Sequence, residues 1–354
     1  MQNKPNFQKT ATNVTSVVIK PYINIPLRDD RKNEPNRTQF QTPLLSKLLL
    51  AFTFLHPGYN LAMQNWTIQK LLNWTTNYFT EKNIDSPRLS AEMLISHVLE
   101  TERIDLYTKF SQTVQTQQLD KLHDLVKQAA DGEPIQYLIG KTEFYSIPII
   151  VTPGCLIPRP ETELLVEKAI EFLRKKTKTQ LVCDLCTGSG CIAVAIAKNC
   201  KNTKITATDI SDEALAVAEK NIEQHNLKNK INLLAGDLFD PIIPQIDIEK
   251  FDLIVSNPPY VSNIEYDKLD KRIKDHEPKS ALYAGTDGLD IYKRIADKAP
   301  DFLKSNAALI LEVGYNQGKQ VKELLAQTEC FSEIKIEKDY SDNDRIVTAI
   351  IKSA

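Results

Sequence analysis

The stretch FDLIVSNPPY, Phe251 to Tyr260, decides how the rest of the chain is read. Phe251 to Val255 is a short apolar run with β-branched residues, the pattern of a buried strand. Ser256 and Asn257 end it. Pro258 and Pro259 then forbid both helix and sheet ladder, because proline lacks a backbone N–H and fixes φ. The expected product is a stiff, extended loop at the carboxyl end of a strand, where ligands bind in open α/β sheets. Asn257 brings an amide oxygen and an amide nitrogen. The Pro258 carbonyl has no evident helix or sheet partner, and Tyr260 offers a flat aromatic face. This set suits a planar substrate carrying an NH2 group. Its two N–H bonds would donate to the Asn257 side-chain oxygen and the Pro258 carbonyl while Tyr260 packs on the plane. An amide or aryl NH2 is a poor nucleophile because its lone pair is delocalised, so two in-plane acceptors would help by aiming that lone pair at an electrophile. The same residues also fit a proline-stiffened turn that binds nothing.

From Leu164 onward the chain alternates helix and strand, which signals a mostly parallel α/β sheet. Leu181 to Leu185 is a strand, Cys186-Thr187-Gly188-Ser189-Gly190 a loop, and Cys191 starts a helix. The chain has 11 glycines, and two of them form the G-x-G of this loop. Glycine lets backbone approach a ligand closely and reach positive φ. Asp209 ends the next strand, Ile205 to Thr208, about twenty residues further on, where an acid can bind ribose hydroxyls. A dinucleotide fingerprint needs a third glycine, and that position is Ala193. The loop therefore fits a single nucleoside-like ligand better than a pyrophosphate. Asp237 and Leu238 follow the strand Ile231 to Leu234 and are candidates to line an adenine pocket. Further on, the spacing predicts a helix from Leu289 to Ala299, a strand from Ala308 to Val313 and a helix from Gln317 to Ala326. Ile334 to Glu337 and Ile346 to Ile350 should close the sheet as an antiparallel edge.

Upstream, residues 63–133 read as a small helical domain. Ile68, Leu71, Leu72, Trp74 and Phe79 fit one amphipathic helix. Ser86-Pro87 reads as a cap followed by proline at the first helical position, and Leu119 to Val126 mark a third helix closed by Gly132. His97 and His123 read as packing or surface residues. Residues 134–160 read as a β-hairpin linker ending in IPRPETE, Ile157 to Glu163. Arg159 and Glu161 stand on stiff backbone there, as a site wall or a structural ion pair. Residues 161–354 form the sheet domain. Residues 1–62 are rich in Asn, Gln, Thr and Pro and lack periodicity. They are expected to be a disordered extension or to precede the true start at Met63. A transit peptide fits less well, because no arginine-rich amphipathic helix is present.

Hydrophobic residues make up 42% and charged residues 25% of the 354, ordinary for a globular protein. A net charge of −2 argues against a main partner that is a nucleic-acid backbone. No run approaches the ~18 apolar residues of a membrane span. The six cysteines form no framework of spacings and read as reduced thiols of a cytosolic protein. Cys183 and Cys186 make one C-x2-C, but no second pair exists, so no metal is expected.

IPRPETE at 157–163, DLCTGSG at 184–190 and NPPY at 257–260, supported by DGLDIY at 287–292 and LEVGYNQG at 311–318, resemble the class I S-adenosylmethionine-dependent methyltransferases. More narrowly, they resemble the release factor glutamine methyltransferases. The resemblance runs from about Trp66 to the C-terminus. It implies a Rossmann-like methyltransferase domain preceded by a helical domain that helps seat a peptide chain release factor. It implies methyl transfer from S-adenosylmethionine to the N5 amide of the glutamine in a Gly-Gly-Gln loop. By the resemblance, Cys186, Thr187, Gly188, Ser189, Gly190, Asp209, Asp237, Leu238 and Asn257 contact the cofactor. Asn257, Pro258, Pro259 and Tyr260 hold the substrate, with Asn257, Pro258 and Tyr260 the catalytic set. A cytoplasmic monomer needing neither membrane nor nucleic acid is expected. Cys186 stands where many relatives have glycine, so its side chain must point away from the cofactor or the pocket differs there. NPPY also occurs in methyltransferases acting on the adenine N6 amino group of DNA, the alternative reading. A non-catalytic adapter is disfavoured by the intact motifs.

Overall fold

The central sheet owes its shape to a period-two pattern with both faces covered. Val182 and Cys183, Leu253 and Ile254, and Ala308 and Leu309 each point to opposite sides, into two separate apolar cores. A computed structural model describes residues 65–174, 176–243 and 249–353. The leader, residues 1–62, lies outside the described residues.

The sheet strands are β3 (Gln180–Leu185), β4 (Thr203–Asp209), β5 (Ile231–Ala235), β6 (Phe251–Ser256), β7 (Leu303–Glu312), β8 (Phe331–Lys338) and β9 (Asp344–Ile351), in the order β5-β4-β3-β6-β7-β9-β8. β5 to β7 along this order are parallel, with Leu185 beside Ser256 and Ser256 beside Leu311. β9 runs antiparallel to both β7 and β8. Helices α6 (Thr162–Arg174), α7 (Cys191–Asn199) and α8 (Asp212–Gln224) cover one face, and α11 (Asp290–Phe302) and α12 (Gly318–Gln327) the other. Buried on both sides, the inner strands read as near-continuous apolar runs. The order reverses between β3 and β6, so the loops after these two strands flank the switch point where ligands bind in such sheets.

The closing pair is antiparallel as expected, but only β8 is an edge. β9 enters the interior, where Val347 and Ala349 are fully buried. Two strands adjacent in sequence do not reveal which of them has a second neighbour.

The helices α1 (Ile68–Glu81), α2 (Pro87–Leu99), α3 (Asp105–Thr108), α4 (Thr116–Ala130) and α5 (Ile135–Ile139) enclose a third core of Leu72, Phe79, Leu94, Ile95, Leu106 and Val126. Thr67 caps α1 by accepting the Lys70 N–H. Ser86 precedes Pro87 as expected but makes no cap bond. Its φ of 45° and ψ of 59° are left-handed, whereas a cap needs extended backbone to aim its oxygen at the first turn. The region read as a pure hairpin begins instead with α5, which Gly140 ends at φ +73°. The hairpin proper is β1 (Lys141–Phe144) against β2 (Ile147–Ile150). Beyond β6 lie α9 (Asn263–Lys268), opened by a Ser262–Glu265 capping box, and α10 (Lys271–Lys274). In α10, Arg272 donates to the Asn83 carbonyl at 3.1 Å, tying this segment to the turn between α1 and α2.

Candidate functional site

Two loops meet at the switch point. The loop after β3 turns sharply because Cys186 adopts φ +58° and Gly188 φ +57°. A Cβ at Gly188 would meet nothing within 4 Å, so this backbone faces open space. At Gly190, φ +75°, a Cβ would come within 3.1 Å of the Ala218 Cβ, so glycine there permits close packing on α8. The Cys186 side chain packs against the second core, beneath α11. Burial first, then the nearby Asp209 charge, pushes its thiol well above the usual range. A side chain is therefore tolerated where the backbone geometry favours glycine.

Asp209 ends β4 and fastens this loop. Its Oδ2 accepts the Gly188 N–H at 2.8 Å and its Oδ1 the Ser211 N–H at 3.0 Å. Burial raises its pKa against the opposing pull of these bonds. Below the loop, Asp184 is fully buried and accepts the Thr187 hydroxyl at 2.6 Å. Desolvation lifts its pKa to about 7. Asn221 of α8 donates to the carbonyls of Ser189 and Ile150, both at 2.9 Å, and accepts the Ile150 N–H at 2.7 Å. One buried amide thus joins the glycine loop, the hairpin and a helix.

The Asn257–Tyr260 loop stands beside it, with the Ser256 hydroxyl donating to the Leu185 carbonyl at 2.7 Å. Asn257 Nδ2 donates to the Thr162 hydroxyl at 3.1 Å. Among the described residues, neither Asn257 Oδ1 nor the Pro258 carbonyl takes a hydrogen bond. Tyr260 is half-buried against the second core, and burial pushes its phenol up to about 12. Its carbonyl accepts Gln317 Nε2 at 2.9 Å, and a Cβ at Gly288 would strike that carbonyl at 2.4 Å. The loop is clamped at both ends while its middle keeps two free acceptors.

The IPRPETE wall leans on the same loop. Arg159 pairs with the buried Glu277 at 2.5 Å, not with Glu161, so the structural ion pair left open by the sequence exists with a distant partner. Thr162 starts α6, and Glu163 accepts the Tyr145 N–H at 2.8 Å. Asp237 is paired with Arg294 at 2.8 Å and half-exposed, whereas Leu238 is turned into the second core. Among the described residues no group of three or more His, Cys, Asp or Glu could hold a metal ion, and no helix is long and apolar enough to cross a membrane.

A family model described as the PrmC N-terminal domain matches residues 70–140, and one described as a methyltransferase small domain matches residues 161–276. The chain is 40% identical over 286 residues to a release factor glutamine methyltransferase of Rhodopirellula baltica, covering 80% of this chain and 96% of that one. The chain belongs to the release factor glutamine methyltransferase family. A second member of the family, from Geobacter sulfurreducens, is 38% identical over 80% of this chain and 96% of its own length. A solved protein-(glutamine-N5) methyltransferase (release factor-specific) from Alicyclobacillus acidocaldarius is 33% identical, with a TM-score of 0.35 over 57% of this chain and 98% of its own. As in the family, this chain is a methyltransferase, with a helical region ahead of a mostly parallel seven-stranded sheet.

Sequence reading missed three residues of the site: Thr162 as partner of Asn257, Asn221, and Glu312 at the end of β7. Asn221 had one signal, a polar residue on the apolar stripe of α8 between Ala218 and Ile222.

Proposed function

We propose that this enzyme transfers a methyl group from S-adenosylmethionine to the N5 amide nitrogen of the glutamine in the Gly-Gly-Gln loop of peptide chain release factors. The observation that supports it most is the pair of free acceptors, Asn257 Oδ1 and the Pro258 carbonyl, on a loop clamped at both ends. The residues fit the cofactor. Gly188 presents bare backbone to open space, and Asp209 places a carboxylate beside it. Bound there, S-adenosylmethionine supplies an electrophilic methyl group on a sulfonium sulfur. Asp209 would take the ribose hydroxyls, and Asp237 with the backbone of Leu238 would border the adenine.

Asn257 Oδ1 and Pro258 each accept one N–H of the substrate amide, and Tyr260 lies against its plane. The nitrogen lone pair is then fixed in direction, so positioning is the main catalytic device. No base is needed for the attack, because the methylated nitrogen becomes acidic and loses its proton to water. The helical region, α1 to α5, helps seat the release factor. A release-factor substrate implies the cytoplasm, and the enzyme acts as a monomer without nucleic acid.

The test is transfer of labelled methyl to purified release factor, followed by mass mapping of the modified residue. Asn257→Ala should lower the single-turnover rate by about 100-fold while cofactor affinity falls far less. A near-normal rate would reduce the loop to a stiff turn. Efficient labelling of duplex DNA in place of the protein would favour the adenine reading.

A further inference from the structure

Glu312, the last residue of β7, is 1% exposed, and its Oε2 has no hydrogen-bond partner among the described residues. A buried orphan oxygen is costly, and no step given above uses this carboxyl. The Thr162 hydroxyl faces it and favours its charged form. Thr162 is 2% exposed and receives Asn257 Nδ2 at 3.1 Å. A threonine hydroxyl has one proton and two lone pairs, and an ionised carboxylate can only accept. An ionised Glu312 draws the Thr162 proton toward itself, which leaves a Thr162 lone pair for the NH2 end of Asn257.

We propose that Glu312, acting through Thr162, is a positioning residue that holds the Asn257 amide with its oxygen turned to the substrate. The proposal rests on the substrate reading above and deepens it. With the opposite flip, Asn257 would present NH2 to an incoming NH2 and repel it. Once protonated, Glu312 can itself donate to Thr162, freeing the threonine proton for Asn257 Oδ1 and permitting that flip.

Several groups face Glu312. Arg345 of β9 and Arg159 of the IPRPETE wall favour its charge, and Glu161 of that wall opposes it. Tyr260 of the proline loop and Tyr292 of α11 lie near, both pushed above the usual phenol range by burial. Burial prevails, and the Glu312 carboxyl is lifted to about 7. The single-turnover rate should therefore climb as pH rises through about 7. Asp184 is also lifted to about 7, so the limb is assigned by its loss in a Glu312 variant.

Glu312→Gln keeps the shape but can offer either amide end to Thr162. It should lower the rate at alkaline pH and flatten the rising limb, with cofactor affinity unchanged. Thr162→Val removes the hydroxyl and should slow transfer by about tenfold or more, while Thr162→Ser restores most of the rate. A Glu312→Gln enzyme that keeps both rate and limb, or a Thr162→Val enzyme matching Thr162→Ser, overturns the proposal. A substrate-free measurement separates it from the reading beneath it. In 15N spectra the Asn257 side-chain NH2 should exchange with solvent faster in Thr162→Val than in Thr162→Ser, and equal exchange overturns the proposal. A wild-type enzyme that labels no release factor overturns the substrate reading instead.

Discussion

Asp184 and Thr187 share a 2.6 Å hydrogen bond beneath the glycine loop, in a spot with no exposed surface for the carboxyl. Desolvation raises the Asp184 pKa from 3.8 to about 7 in the folded state. The folded protein then binds this proton more tightly than the unfolded chain does. The stability linked to Asp184 is therefore greatest below the unfolded pKa and falls as pH rises toward the folded one. Asp184→Asn should raise the melting temperature at alkaline pH and change it little in acid. An equal shift at both ends would sink this reading. Asp209 is different, because it serves the loop as well as the ligand. Asp209→Ala removes the acceptor for the Gly188 and Ser211 N–H groups along with the proposed ribose contact. Cofactor binding should weaken by roughly 1.5–3 kcal/mol, the worth of a hydrogen bond to a charged group. Unchanged affinity by calorimetry would refute the assignment.

Among the elements, α8 joins parts remote in sequence. Asn221 saturates Ile150 of β2 and the carbonyl of Ser189, so the hairpin is tethered to the glycine loop. Asn221→Ala would strip one buried and two part-buried backbone groups of a partner and should cost about 3 kcal/mol. Denaturant unfolding checks this, and a loss below about 1 kcal/mol would mean water replaces the amide. Such ties mark where the sequence stopped being legible. The strand and stiff loop at Phe251 to Tyr260 were readable because an apolar β-branched run and proline act locally. So were the glycine loop and the acid at Asp209, which lie on successive strand ends. Thr162 and Glu312 were not, since Thr162 reaches Asn257 and Glu312 faces Thr162 only after the fold brings distant segments together. The five residues of α5 are too few to display a helical period. Ser86 looked like a cap because residue type is visible in a sequence and its left-handed backbone is not.

Across the whole molecule, Arg272 connects the segment after the proline loop to the helical region. It grips Asp270 at 2.6 and 3.1 Å while donating to Asn83. Half-exposed ion pairs of this kind stabilise little, so the bridge bears more on the placing of the helical region than on stability. Arg272→Ala should leave the melting temperature and cofactor affinity nearly unchanged. It should lower kcat/KM for whole release factor more than for a short glutamine peptide. An equal fall for both substrates would refute that role.

The position of β9 has a consequence in time. Strands neighbouring in sequence usually pair at once as they form, and here β8 can join the sheet only through β9, which is made after it. Until Asp344–Ile351 has left the ribosome, β7 has no strand neighbour on that side and β8 waits outside. Synthesis delivers the N-terminal helices and the glycine loop early. The sheet, and with it the β7 end that bears Glu312, closes only once β9 has been made.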